Sequence, residues 1–199
     1  MTTARDLSIL AAAPDATPVP EQGDLSLALA GAELIDLVAL RAVTLDDDRI
    51  VPGAPPETGD PLLREAASLL VREEPGETVR DWLWRRGRHL AARYRTALEA
   101  EGVLTPARTR RNPFRRARTA PADPPPRHRA AGETAAGPVL AGLLSATGVA
   151  DAHTTSYAGL TDEQSTVLAG VHGAVTELAG ERQRRASEQA AFDNVWRGE

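Results

Sequence analysis

No cysteine and no lysine occur among the 199 residues, and aromatic side chains make up only 4%. Without cysteine there is no disulfide framework, no thiolate nucleophile and none of the common structural zinc sites. That composition fits a reducing cytosol. With so few aromatics, Ala, Leu and Val must fill the core, although 42% hydrophobic and 26% charged residues is an ordinary globular balance. No run approaches 18 apolar residues, so no transmembrane helix is expected. The opening Met1-Thr2-Thr3-Ala4-Arg5-Asp6 lacks the basic and apolar regions of a signal peptide. The expectation is a cytoplasmic chain whose membrane contact, if any, is peripheral and on the inner face of the cell membrane.

All 23 basic residues are arginine. A genome rich in G and C favours Arg, Ala, Gly and Pro codons together, so arginine in place of lysine is not itself a sign of phosphate recognition. Position carries more information. Between Arg85 and Arg118 stand eleven arginines against Glu99 and Glu101, a local charge of +9, which leaves −14 for the rest of a chain whose total is −5. Such a split within one domain points to an anionic partner.

The chain reads as mostly helical. Leu7, Ile9 and Leu10 open a helix turn or a strand, and Pro14, Pro18 and Pro20 mark a connector. From Leu25 to Leu40 the apolar residues are dense enough for a central buried helix, with Asp24 as its expected N-cap. Val43-Thr44-Leu45, the turn Asp46-Asp47-Asp48 and Arg49-Ile50-Val51 predict a β-hairpin. Asp60-Pro61 is a strong helix start, because Asp caps free N–H groups and Pro fits the first helical position. That helix is expected to run through Leu70 and stop at Pro75-Gly76. Thr78 to Arg86 predicts a short helix with Trp82 and Trp84 in the core, broken or kinked at Gly87. Helical spacing resumes to Gly102, a C′ glycine, and Val103-Leu104 is read as extended. Helices are expected again near Pro138–Gly148 and from Thr161. In the second of these, Gly170, Gly173 and Gly180 each cost about 1 kcal/mol against Ala, and a polar tail follows. The fold class is thus mostly α: a single-domain helical bundle over residues 5–199 with one or two small β-hairpins and a Pro/Arg-rich loop at about 106–130.

Four stretches, in order, resemble the Golgi phosphoprotein 3-like family, particularly its actinobacterial members. Leu29-Ala30-Gly31-Ala32-Glu33-Leu34-Ile35-Asp36-Leu37 is similar to the family's long central helix, and Val43 to Val51 to its hairpin. Thr58-Gly59-Asp60-Pro61-Leu62-Leu63 resembles a hallmark of the bacterial branch, and Leu98 to Leu104 the helix end before a second hairpin. The resemblance implies an almost entirely helical, non-catalytic, phosphoinositide-binding peripheral membrane protein. Eukaryotic members hold phosphatidylinositol 4-phosphate with a tryptophan and an arginine before and within the central helix, plus two arginines three apart on a later helix. Carried over by position, the later pair falls on Arg88 and Ala91, and the central-helix arginine on Ala30. No tryptophan precedes that helix here. The family's second hairpin falls on Arg108 to Arg118, where charge stands in place of apolar residues.

Two candidate sites follow. On a continuous helix Arg85, Arg88 and Arg95 lie near one face, with Arg86 and Arg93 near another, so the first three are candidates for a lipid head group. Arg93 is expected in an internal salt bridge. The second candidate is a membrane-contact basic hairpin made of Arg108, Arg110, Arg111, Phe114, Arg115, Arg116 and Arg118. Basic residues near an anionic surface contribute about 1 kcal/mol each. The alternative is a scaffold whose basic segment pairs with an acidic client protein or with a homo-oligomer. Nucleic acid ranks last, since the chain is acidic and only one aromatic is interleaved with the arginines. His89, His128, His153 and His172 have no metal-ligand spacing, and His172 reads as a satisfied packing residue. No phosphate loop, nucleophile elbow or catalytic carboxylate pattern occurs. No metal, cofactor or enzymatic activity is expected.

Overall fold

A computed structural model describes residues 2–13, 18–104, 137–149 and 158–197. Its elements in chain order are α1 (Thr3–Ala11), α2 (Gln22–Ala39), β1 (Val43–Asp46), β2 (Arg49–Pro52), α3 (Pro61–Ser68), β3 (Glu77–Thr78), α4 (Val79–Arg86), α5 (Leu90–Ala100), α6 (Gly137–Ala146) and α7 (Asp162–Arg197). The mostly helical expectation holds. Helix α2 is the axis: every residue from Ser26 to Leu37 is buried, and α1, α3, α4, α5, α6 and α7 all pack on it. None of the described helices is long and apolar enough to cross a membrane.

Three buried polar residues interrupt α2, and each is assigned to another element. The Asp36 carboxylate accepts from the backbone N–H groups of Thr3 and Ala4 at 3.0 and 3.2 Å, capping the start of α1. The Ser26 hydroxyl accepts from Ala91 N–H at 3.1 Å, capping α5, whose own N-cap His89 supplies no side-chain bond. Glu33 takes the guanidinium of Arg86 from α4. A buried polar group left without a partner costs free energy, so these three residues fix where their neighbours dock.

The hairpin forms as predicted, with Asp47 in the left-handed region at φ 54° and Asp46 opposite Arg49. A third strand was not legible from sequence: β3 pairs with β2, Glu77 opposite Ile50, giving the order β1-β2-β3. Several expected boundaries shift. Helix α2 starts at Gln22, with Glu21 rather than Asp24 at the N-cap and no side-chain cap. Helix α3 stops at Ser68 instead of continuing through Leu70. There the Ser68 hydroxyl takes the Glu65 carbonyl at 2.7 Å and Arg85 takes that of Leu69 at 3.0 Å, so competing donors occupy the last turn. Val103 and Leu104 form no strand. Their N–H groups fold back onto the Leu98 carbonyl around Gly102 at φ 73°, a Schellman ending.

Helix α7 shows what pattern reading missed. It continues through Gly180 to Arg197, supported on its exposed face by Glu181 pairing with Arg184 and Arg185. Gly170, expected as a weak point, permits close approach, since a Cβ there meets Val79 of α4 at 2.9 Å. Gly31 of α2 does the same, with a Cβ falling 2.4 Å from Val171. His172 is half-buried on this helix, and among the described residues its shielded Nε2 has no hydrogen-bond partner, contrary to the satisfied role expected.

Candidate functional site

The Thr58-Gly59-Asp60-Pro61 stretch builds the joint between α1 and α3. Asp60 accepts from the N–H groups of Leu62 and Leu63 at 2.9 and 3.4 Å, and Thr58 Oγ1 accepts from Asp60 N–H at 3.2 Å. The same carboxylate receives the Thr2 hydroxyl and lies 3.6 Å from the Arg5 guanidinium. A motif that marks a helix start in sequence therefore also ties down the N-terminal helix.

The basic stretch of 85–95 does not form the single arginine face expected of a continuous helix. Gly87 to His89 is a turn, and His89 adopts φ 58°. A Cβ at Gly87 would meet the Leu83 carbonyl at 2.5 Å, so glycine lets α4 end against α2 and the chain turn there. As a result Arg85 and Arg88 border one shallow face with Arg80 and Trp84, while Arg95 borders a separate cavity.

Most of the positive charge in this stretch is answered internally. Arg85 pairs with Glu77 through Nε and Nη2 at 2.7 and 2.6 Å, and its guanidinium lies 5.3 Å from the Trp82 ring. Arg86 is buried and donates two bonds to Glu33 and one to Glu65 at 3.0 Å. Arg93 pairs with the other oxygen of Glu65, as the internal salt bridge expected of it. Burial works against the Arg86 cation, but the bonds it donates to Glu33 and Glu65 outweigh it and its pKa is raised. Burial also pushes the Glu33 carboxyl up, opposed by Arg86 and Tyr94. The Tyr94 hydroxyl donates to Glu33 at 3.1 Å, and burial first, then the Glu33 charge, raises its pKa.

Arg88 and Arg95 are different. Both are exposed, and among the described residues no carboxylate pairs with either. They flank the first turn of α2. Arg88 borders a cavity of about 290 Å³ with Gln22, Gly23, Ser26, Trp84 and His89. Arg95 borders one of about 170 Å³ with Gln22, Leu25, Ala91, Val19 and Leu104. Gln22 lines both. The carboxylates of the adjoining segments are engaged elsewhere, Glu21 and Asp24 with Arg182 and Glu101 with Arg5. The two cavities beside this helix start, which no side chain caps, therefore each present a guanidinium that no carboxylate pairs with among the described residues, which suits an anion. Asp81 and Glu177 border the other face of Arg88.

Of the positions carried over by resemblance, Ala30 is fully buried, and its carbonyl accepts from Trp82 Nε1 at 3.0 Å. Ala91 lines the Arg95 cavity, one helical turn before Arg95 itself. Trp84 is half-buried between the two faces that Arg88 borders, not core as expected, and its shielded Nε1 has no partner among the described residues. Gln22, Val19 and Trp84 were not singled out as site residues in sequence. The available signal was the interruption of an apolar helix by polar residues at its first turns. Arg108, Arg110, Arg111, Phe114, Arg115, Arg116 and Arg118 lie outside the described residues.

Comparison with protein-family profiles matches residues 4–191 to one family, described as Golgi phosphoprotein 3 (GPP34). No curated protein and no solved structure matches the chain.

Proposed function

The chain belongs to the Golgi phosphoprotein 3 family, whose members are phosphoinositide-binding, non-catalytic membrane adaptors, and from that premise we propose that it docks on anionic phospholipid head groups. The observation that carries this reading is the pair Arg88 and Arg95, exposed at the start of α2 and without carboxylate partners among the described residues. By the resemblance, counted along the sequence, Arg88 falls at a position of the family's head-group pocket. Arg95 opens into the cavity that Ala91 lines, so it offers a guanidinium one turn beyond the position where the family carries its second arginine. The arginines of 108–118 add charge to the same docking by sequence, and Arg85 stays with Glu77 as a neighbour of the site. Cosedimentation with phosphatidylserine or phosphatidylinositol 4-phosphate vesicles, absent with phosphatidylcholine alone and lost at high salt, is the expected result. Binding that ignores salt, or no binding, sinks the proposal.

The second half of α7 favours an adaptor function alongside lipid docking. Residues 183–188 are exposed along a helix that extends past the packed residues Val167 to Ala174. A protein client or a second copy has room on that surface. A salt-sensitive oligomer by light scattering, without vesicle binding, would favour the scaffold over the lipid reading.

A further inference from the structure

Seven large hydrophobic residues are exposed among the described residues; one of them, Val19, lines the Arg95 cavity, and another, Val103, is the chain neighbour of a residue that lines it. Val19 is 78% exposed, the highest value of the seven, and it lines that cavity itself. Val103 is 50% exposed and adjoins Leu104, which also lines that cavity. Neither valine is needed to close a helix. Val19 lies between Pro18 and Pro20 in the connector before α2, and Val103 is held outward by the turn around Gly102. Prolines on both sides of Val19 limit the backbone freedom that would otherwise let it fold inward.

We infer that Val19 and Val103 are a two-point apolar anchor that enters the head-group and acyl boundary of an anionic bilayer when Arg88 and Arg95 engage its phosphates. The inference rests on the lipid reading above and adds the orientation: the α2 start and the α5 end face the membrane. Charge complementarity selects the occupant. An apolar protein partner would be served by the valines alone, whereas valines beside two guanidinium groups that no described carboxylate pairs with match a surface that is anionic outside and apolar just beneath. Arginine heads remain at phosphate level while short apolar side chains pass below it, so the two contacts act at different depths.

The absence of cysteine makes a clean test possible, because a single introduced thiol can be labelled with an environment-sensitive nitrobenzoxadiazole dye. Val19→Cys, Val103→Cys and, as a control, Val51→Cys on the hairpin are labelled and mixed with phosphatidylcholine/phosphatidylserine vesicles. Emission at positions 19 and 103 is expected to shift to the blue and to be quenched by doxyl-labelled lipid, with position 51 unchanged. The unlabelled pair Val19→Ser and Val103→Ser, which adds no charge, is expected to lower vesicle partitioning about tenfold while leaving the salt dependence intact. Vesicle binding without any dye response at 19 and 103 overturns the anchor and leaves the lipid reading standing. No vesicle binding overturns both. A change in oligomer mass caused by the serine pair in the absence of vesicles also overturns it, assigning the face to a second copy of the chain.

Discussion

Arg86 of α4 grips Glu33 of α2 with two hydrogen bonds, Nε to Oε2 at 2.7 Å and Nη2 to Oε1 at 2.8 Å, and neither side chain is more than 2% exposed. The pair is the innermost part of a network that reaches Tyr94 and Glu65, and through Glu65 the half-exposed Arg93. Desolvating both charges costs several kcal/mol, which the paired geometry offsets only while every member is present. The pair therefore fixes the position of α4 on α2 more than it adds net stability. It also holds the turn at Gly87, and with it Arg88.

Arg86→Met alone leaves Glu33 buried and unpaired, and is expected to destabilise the fold by about 3–5 kcal/mol. The double variant Glu33→Leu with Arg86→Met is expected to lose much less than the two single variants summed. Urea unfolding of the four proteins in the cycle measures the difference; strict additivity would refute the coupling.

Glu65 gives the acid dependence a sign. Its hydrogen bond from Arg93, followed by that from Arg86, holds its pKa below the usual glutamate value. A depressed carboxyl contributes stability above its unfolded pKa, about 4.3, and loses it as pH falls through the folded value. Glu33 and Asp36, both raised chiefly by burial, contribute with the opposite sign. Glu65→Gln is thus expected to flatten the fall in melting temperature below about pH 4.3, and an unchanged acid limb would count against it.

The glycines of α2 and α7 should separate by surroundings. Gly31→Ala sets a Cβ 2.4 Å from Val171 and is expected to cost about 1–3 kcal/mol by forcing the helices apart. Gly180→Ala meets nothing within 4 Å and is expected to stabilise by up to about 1 kcal/mol. Thermal unfolding of both variants checks the opposed signs.

Arg88→Ala and Arg95→Ala are each expected to weaken anionic-vesicle binding about fivefold, near 1 kcal/mol, with unfolding unaffected. Arg85→Ala is expected to do the reverse, because it strands the buried Glu77 and leaves the two free guanidinium groups in place. Vesicle titration and denaturant curves on all three variants tell a docking arginine from a structural one.

Asp60→Ala removes the α3 cap together with the Thr2 and Arg5 contacts, so its cost is expected near the upper end of the usual 0.5–2 kcal/mol for a lost cap. Hydrogen exchange should then rise in α1 as well as in the first turn of α3. Faster exchange in α3 alone would mean that the tether to α1 carries nothing.

Sequence alone specifies the helical class, the buried central helix, the hairpin at Asp46–Asp48 and the start of α3 at Asp60-Pro61. Each rests on chemistry local to a few residues: an apolar run, a turn residue, a cap. It also gave the family, through the order of those same stretches. It did not determine which arginines remain available. In sequence Arg85, Arg86, Arg88, Arg93 and Arg95 are one basic stretch, yet their partners Glu77, Glu33 and Glu65 lie 8 to 53 residues away along the chain. Only the packing of α3 and α4 on α2, together with the pairing of β3 on β2 that holds Glu77, brings those carboxylates within reach, and the break at Gly87 turns Arg88 away from them. Coulomb pairing depends on distance in space rather than in sequence. The tertiary structure therefore left two of the five arginines free, and placed both at the start of the helix around which the molecule is built.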